Sequence, residues 1–263
     1  MMKRFRPYRS ILLGIFQAVL IWSVSTISVT ASERITADDL EYYTENFPPH
    51  NYMENGQLKG ISVDILEMMW AKLGSGKTRA DISILPWARA IRMLKTHSDM
   101  VLFGMGYSEE RAEKFHWVGP YFTHELALIG RADDPVSIDR IDDARHLTIG
   151  VVRQDIGHQT LIERSFHPDR IELCDDIAQL HQKFVHHRFR VVCYVTHAYF
   201  NYLQRQDIPR HKFKKLFTIS ASKSGFGFSR KVPLDLINRF QGVLERLRAE
   251  GELDNVLNRY GMK

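Results

Sequence analysis

The amino-acid sequence predicts an α/β protein built from two doubly wound lobes that are joined by a hinge. Short apolar strands alternate with amphipathic helices from Leu40 to Phe103, and the same alternation begins again at Leu147. Such alternation is typical of parallel sheets with right-handed crossovers, so each stretch predicts one α/β unit. Extended segments at 125–131 and 225–229 connect the two units, and two crossings of this kind are expected to act as a hinge.

The N-terminal segment has the layout of a secretory signal peptide. Residues 1–31 carry four basic side chains and no acid, and an apolar run follows at 11–24. We expect cleavage after Ala31, and the alternative is an uncleaved membrane anchor. The formal charge of +5 includes +4 from this segment, so the remainder carries only +1 and nucleic-acid binding is not expected. No later apolar segment approaches the length that spans a membrane.

The first unit is predicted to contain two helices between its three strands. Ser62 is expected to cap the first helix, and Gly74 is expected to end it in a left-handed conformation. Pro86 is expected to begin the second helix. The predicted strands are 40–44, 81–85 and 100–103.

The second unit repeats this pattern, and the chain then ends in a long amphipathic helix that Gly251 stops, followed by a short one. The predicted strands are 147–152, 171–174 and 191–195, and the predicted helices are 157–166, 177–187, 236–247 and 253–260. The last helices need an apolar surface, so we expect the chain to return to the first lobe. The predicted lobes are therefore 32–128 with 225–263, and 129–224.

Three short motifs stand out in the first lobe: Thr-Glu-Asn-Phe-Pro-Pro at 44–49, Pro-Trp-Ala-Arg-Ala at 86–90 and Ser-Glu-Glu-Arg-Ala-Glu-Lys at 108–114. They resemble motifs of the extracellular solute-binding proteins of family 3, best known as polar amino-acid receptors of ABC importers. The Pro-Trp-x-Arg-Ala element is similar to that of one subgroup. The resemblance implies a periplasmic binding protein type 2-like fold, in which a cleft between two lobes holds the ligand.

The resemblance implies that Arg111 grips a ligand carboxylate, because it occupies the position of the arginine that does so in the family. A guanidinium matches a carboxylate with two parallel hydrogen bonds, which supports this role. The alternative is that Arg111 forms a surface ion pair with Glu109 or Glu113.

Further ligand-binding candidates follow the predicted strand ends, where open α/β sheets bind their ligands. Aromatic residues in this set could instead be core residues. For Arg153 and Asp155, we expect the amide groups of the following helix to receive an anion. The candidates besides Arg111 are Phe47, Tyr52, Trp87, Arg89, Gly104, Gly106, Tyr107, Arg153, Asp155 and Thr196.

The chain departs from the amino-acid receptor pattern, which limits the ligand prediction. Gly104 and Gly106 stand where the family usually has hydroxyl residues, and Thr196 with His197 stands near its usual aspartate. The usual Gly-Thr of the second lobe reads Gln154-Asp155. The expected ligand is therefore a small polar molecule with a carboxylate, rather than an α-amino acid specifically.

Other motifs do not predict catalysis, a cofactor or a metal. The Gly-Ser-Gly-Lys-Thr run at 74–78 lacks the first glycine and the preceding strand of a nucleotide-binding loop. His181, His186 and His187 lack metal-ligand spacing and predict a solvated helix face. Cys174 and Cys193 fall on predicted strands that are separated by a third strand, about 10 Å apart, so we predict two free thiols.

The function expected from these observations is a periplasmic, monomeric binding protein that needs no cofactor and is not an enzyme. Its partners would be a small polar ligand and, as the resemblance implies, an ABC permease in the inner membrane. Two alternatives are a dehydratase-like enzyme on the same scaffold and a ligand sensor for a signalling partner.

Overall fold

The computed structural model describes residues 1–2 and 35–262, which contain ten strands and eight α-helices. The strands are β1 (Glu41–Thr44), β2 (Tyr52–Glu54), β3 (Gln57–Lys59), β4 (Ile82–Ile84), β5 (Met100–Gly106), β6 (His116–Arg131), β7 (Ile149–Val152), β8 (Ile171–Cys174), β9 (Val191–Val195) and β10 (Phe213–Phe228). The helices are α1 (Ile61–Leu73), α2 (Trp87–Thr96), α3 (Glu109–Lys114), α4 (Ile156–Glu163), α5 (Ile177–Val185), α6 (Thr196–Arg205), α7 (Leu234–Ala249) and α8 (Glu252–Arg259).

The predicted signal peptide lies outside the described residues, apart from its first two positions. Among the residues that are described, none of the helices combines the length and the apolar character needed to cross a bilayer.

Eight strands form one sheet in the order β4-β1-β5-β10-β6-β9-β7-β8. β1 pairs in parallel with β4 and β5, which confirms the strand–helix alternation predicted for the first lobe. β7 pairs in parallel with β8 and β9 in the second lobe. The predicted α/β fold with two doubly wound lobes is therefore correct.

The two cysteines are buried and unpaired, as predicted. Cys174 ends β8 and Cys193 lies within β9. Because β7 lies between these strands, the thiols sit on strands that are not neighbours.

The segments that connect the lobes are longer strands than the sequence predicts. β6 and β10 are antiparallel to each other along nearly their whole lengths, with several register shifts. The last part of β10 pairs with β5 of the first lobe, while the last part of β6 pairs with β9 of the second. Each of the two strands therefore belongs to both lobes.

The C-terminal helices pack against elements of the first strand–helix unit. α7 packs against α1 and β6, and α8 packs against α1 and α7. They share one buried core with Trp70, which meets the ring of Tyr42 edge-on at 4.7 Å between centroids.

The start of α1 differs from the prediction, because Ser62 is not its cap. The cap position is Gly60, and Ser62 lies within the first turn with its side chain turned inward. Its Oγ lies 2.7 Å from both the carbonyl oxygen of His50 and the Oδ1 of Asn51. Ser62 therefore fixes the loop after β1 instead of satisfying helix amides. Gly74 does end α1 in the left-handed conformation, with φ 73°.

Candidate functional site

A small cavity of about 30 Å³ lies where the carboxyl ends of the strands from both lobes converge. Parallel α/β sheets bind ligands at this edge, so the topology itself indicates the site. The residues from the first lobe are Glu45, Phe47, Trp87, Gly104, Gly106 and Arg111, and those from the second are Val152, Asp155, Ile156, Tyr194 and Val195.

Arg111 is the basic residue of this cavity, and only 3% of its surface is exposed. Ser108 caps the short helix α3 and orients Arg111 inward, where its guanidinium lies 5.2 Å from the ring centre of Trp87. Nη1 donates to the carbonyl of Gly106 at 2.7 Å, and Nη2 donates to the carbonyl of Gln154 at 2.8 Å. The alternative of a surface ion pair with Glu109 or Glu113 is wrong, because the side chain is buried.

Burial of the Arg111 side chain disfavours its positive charge. Burial lowers its pKa to about 10, while the nearby Asp155 and Glu45 act in the opposite direction. Its buried Nε has no hydrogen-bond partner. Arg111 thus retains an unused donor beside the cavity.

Two carboxyl groups face Arg111 across the cavity. Burial and, to a smaller extent, the neighbouring Asp155 raise the pKa of Glu45 to about 8, although Arg111 acts to lower it. Burial also raises the pKa of Asp155 to about 7, against the amide of His158 and Arg111. A cation entering the cavity would favour the ionised form of both acids.

Asp155 also corrects the expectation that the amides of α4 receive an anion. Asp155 is the N-cap of this helix, and its Oδ1 accepts the His158 amide at 2.7 Å. The protein's own carboxylate therefore takes the place that was predicted for a ligand anion.

Arg111 also borders a second, outer cavity, together with Lys95, Lys114 and Gln159. We assign the site to the inner cavity because residues at the ends of β1, β5, β7 and β9 converge there, whereas helices dominate the outer one.

The structure brings six of the predicted residues to the inner cavity, namely Phe47, Trp87, Gly104, Gly106, Arg111 and Asp155. The other five lie elsewhere. Tyr52 stacks under Arg205, Arg89 is exposed on α2, Tyr107 packs edge-on against Trp117, Arg153 approaches Asp175, and Thr196 lines a different cavity.

Sequence reasoning missed five cavity residues, which are Glu45, Val152, Ile156, Tyr194 and Val195. Glu45 directly follows β1, so the same strand-end rule that selected Phe47 could have found it. Tyr194 lies inside β9, where an aromatic residue is indistinguishable from core in the sequence.

One group of three histidines in the described part of the chain could hold a metal ion. His50, His124 and His197 each offer a ring nitrogen, and these atoms lie within 4.8 Å of one another. The ring of Phe47 stacks on His50 at 5.3 Å, so the cluster lies directly behind one wall of the inner cavity.

The position of the cavity and the two-lobed sheet agree with the comparison to known families. The family model of the bacterial extracellular solute-binding proteins, family 3, matches residues 42–263. The chain belongs to this family. No curated protein sequence matches this chain.

Solved structures of similar fold include both receptors and a sensor domain. A histidine kinase sensor domain with similarity to periplasmic binding proteins matches with a TM-score of 0.76 and 19% identity, covering 86% of this chain and 96% of its own. The arginine-, lysine-, histidine-binding protein ArtJ from Geobacillus stearothermophilus matches with a TM-score of 0.75 and 16% identity, covering 86% and 96%. An ancestral arginine-binding protein bound to arginine gives 0.73 and 21%, covering 86% and 99%.

Proposed function

We propose that this protein is a periplasmic receptor that closes its two lobes over a small ligand bearing both a carboxylate and a cationic group. The observation that carries this proposal is the pairing of one buried guanidinium, Arg111, with two partly buried carboxyl groups, Glu45 and Asp155, in a cavity between the lobes. Such a set can satisfy both charges of a zwitterion, which an apolar cavity cannot do.

In this proposal the ligand carboxylate takes the place of a backbone carbonyl. Arg111 Nη2 and Trp87 Nε1 both donate to the carbonyl oxygen of Gln154, at 2.8 Å and 2.7 Å. When the lobes part, both donors are released. A carboxylate is a stronger acceptor than a carbonyl, so the bound ligand would hold Arg111 more tightly than Gln154 does.

Glu45 and Asp155 change which ligands we propose. Departures from the family pattern argued against an α-amino acid, but those departures concern residues 104, 106, 154, 155, 196 and 197 and leave Glu45 aside. A protonated amine can pair with either acid. Several structures of similar fold hold such ligands, since ArtJ is named for binding arginine, lysine and histidine. We therefore include α-amino acids, basic ones among them, in the proposed class.

The proposed hinge consists of β6 and β10, which belong to both lobes. We propose the lobes as residues 32–128 with 225–263, and residues 129–224. Small rotations in two adjacent strands are sufficient for hinge closure.

We further propose that residues 1–31 direct export to the periplasm, and that the closed monomer delivers its ligand to an ABC-type importer without changing it chemically. The family's extracellular character supports export. A second candidate is ligand sensing for a signalling partner, which the likeness to a histidine kinase sensor domain favours.

The proposal is tested by native mass spectrometry of the protein purified from the periplasm. We expect a retained small molecule, and a panel of L-amino acids and diamines followed by thermal shift would define its class. Nuclear magnetic resonance of the released molecule after prolonged incubation should show it unchanged. Turnover of that molecule would overturn the receptor proposal in favour of an enzyme.

A further inference from the structure

Three histidines that are distant in the sequence form a compact cluster inside the protein. His50 is completely buried, and 4% of His124 is exposed. The Nε2 atoms of His50 and His197 are 2.8 Å apart, and the rings of His124 and His197 stack at 5.0 Å between centroids.

Each histidine comes from a different segment of the fold. His50 lies in the loop after β1, where Ser62 holds its carbonyl oxygen, His124 lies on β6, and His197 is the second residue of α6. The cluster therefore joins the first lobe, one of the shared strands and the second lobe.

The donors and acceptors of these rings are incompletely used. Nδ1 of His50 and Nδ1 of His124 are buried without any hydrogen-bond partner. Aromatic rings surround the cluster, including Phe47 and Phe122, and offer no acceptor in their place. Buried polar atoms without partners are rare in native proteins because each costs free energy, so this arrangement calls for a further group.

Neutral imidazole is the form that binds metal ions, and burial favours the neutral form of all three rings. Burial lowers the pKa of His50, of His124 and of His197, the last to about 4, and the other histidines contribute to the lowering for His50 and His124. Ser224, Tyr121, Phe122 and Phe47 face the cluster, and the charged residues Glu125 and Arg210 line the cavity that His197 borders.

We propose that His50, His124 and His197 bind one divalent transition-metal ion of the zinc type, with a fourth position left open. A tetrahedral ion with nitrogen ligands at about 2.0–2.1 Å needs donor atoms about 3.3 Å apart. One ring nitrogen from each histidine lies within 4.8 Å of the other two, so small ring rotations would achieve this geometry. Three neutral imidazoles without a carboxylate select zinc-like ions over Mg²⁺ or Ca²⁺, which require oxygen ligands.

A supporting hydrogen bond and a route to solvent are both present. Nε2 of His124 is in short contact with Ser224 Oγ, which leaves its Nδ1 as the ligand atom and fixes the ring. His197 is partly exposed and lines an open cavity together with Thr196 and Asn201, so an ion can approach from that side. The buried Thr196 Oγ1 and Asn201 Oδ1 have no partners there and could hold the water of the open position.

The proposal is independent of which organic ligand the inner cavity binds. An ion held by residues of both lobes would favour the closed arrangement, and this consequence alone rests on the proposed function. Failure of metal binding would leave the receptor proposal intact, and failure of ligand binding would leave the metal site intact.

The test is a titration of chelator-treated protein with Zn²⁺ in the presence of a competing chromophoric chelator. We expect one equivalent to bind with submicromolar affinity. Co²⁺ in place of Zn²⁺ should give the intense visible absorption of a tetrahedral site.

The variants His197→Gln and His124→Gln should each lower the affinity at least about 100-fold. The matched control is His181→Gln, since His181 is also buried but bonds to Tyr199 in another part of the second lobe, and it should bind as the wild type does. Unchanged affinity in His197→Gln, or the absence of one saturable equivalent in the wild type, would overturn the proposal. If His124→Gln does not fold, the proposal is still tested by the metal affinity of His197→Gln, whose wild-type side chain is partly exposed, and by the Co²⁺ spectrum of the wild type.

Discussion

Trp87 and Gln154 are joined across the cleft by a hydrogen bond of 2.7 Å from the indole Nε1 to the backbone carbonyl. Arg111 donates to the same oxygen, so one carbonyl of the second lobe receives two donors from the first. Gln154 adopts a left-handed φ of 62°, which is uncommon for residues other than glycine. The residue whose carbonyl oxygen accepts both hydrogen bonds therefore has an uncommon backbone conformation.

Replacing Trp87 with Phe should loosen the closed arrangement. The substitution removes the indole donor, and a hydrogen bond of this kind contributes about 1 kcal/mol. We expect the ligand-free variant to populate open forms more, which small-angle X-ray scattering would record as a larger radius of gyration. The matched control is Trp117→Phe, because the buried Nε1 of Trp117 has no partner to lose. Equal radii for Trp87→Phe and the wild type would contradict the role of this bond.

Replacing Glu45 with Gln should stabilise the ligand-free protein at alkaline pH and weaken its ligand binding. Burial raises the pKa of Glu45 from 4.5 to about 8, so the folded state favours the neutral form. The stability this provides is complete below pH 4.5 and is lost as the pH rises toward 8. Gln cannot ionise, so the variant should be more stable at pH 8 by about 1–3 kcal/mol and unchanged near pH 4.

Thermal unfolding at the two pH values measures this effect, with Glu41→Gln as control because Glu41 is exposed at the start of β1, the strand that Glu45 follows. Ligands with a cationic group should bind more tightly to the wild type as the pH rises from 6 to 9, since Glu45 and Asp155 become ionised. Equal melting temperatures of Glu45→Gln and the wild type at both pH values would show that burial does not raise the pKa of Glu45.

Much of the fold was predictable because its strands and helices have clear periodicity. The strands ending at Val195 and Cys174 and the helix beginning at Trp87 have the predicted bounds or nearly so. β6 and β10 were only partly predicted, since polar residues such as Lys214 and Lys215 interrupt the expected alternation. Their pairing with each other, rather than their own composition, makes these segments strands.

Substituting Gly104 with Ala should destabilise the protein and disturb the cavity. Gly104 has a φ of 76°, and a Cβ there would lie 2.8 Å from Asn51 Oδ1. Asn51 in turn donates to the carbonyl of Glu45 at 2.7 Å, so the clash would propagate to that residue. We expect a loss of about 1–3 kcal/mol in chemical denaturation.

The matched control is Gly242→Ala in α7, where a Cβ meets nothing within 4 Å. Alanine is the better helix former, so this variant should gain about 0.5–1 kcal/mol. If both variants changed stability in the same direction, the assigned constraint at Gly104 would be wrong.

The candidate site was less predictable than the fold, for a physical reason. Strand ends identify cavity residues such as Phe47 and Gly104, but they do not tell which side chains turn inward. Tyr52 was predicted for the cleft and instead lies under Arg205. The cluster of His50, His124 and His197 leaves no local pattern, because only the pairing of distant strands brings the three residues together.

The measurement that tests the account most directly is calorimetric titration of the ligand found by native mass spectrometry into Arg111→Lys, Arg89→Lys and the wild type. Lysine keeps the charge but cannot form two parallel hydrogen bonds with a carboxylate. We expect affinity that is about 10–100-fold weaker for Arg111→Lys and unchanged for Arg89→Lys, whose side chain is exposed on α2. Binding of equal strength by Arg111→Lys and the wild type would contradict this expectation.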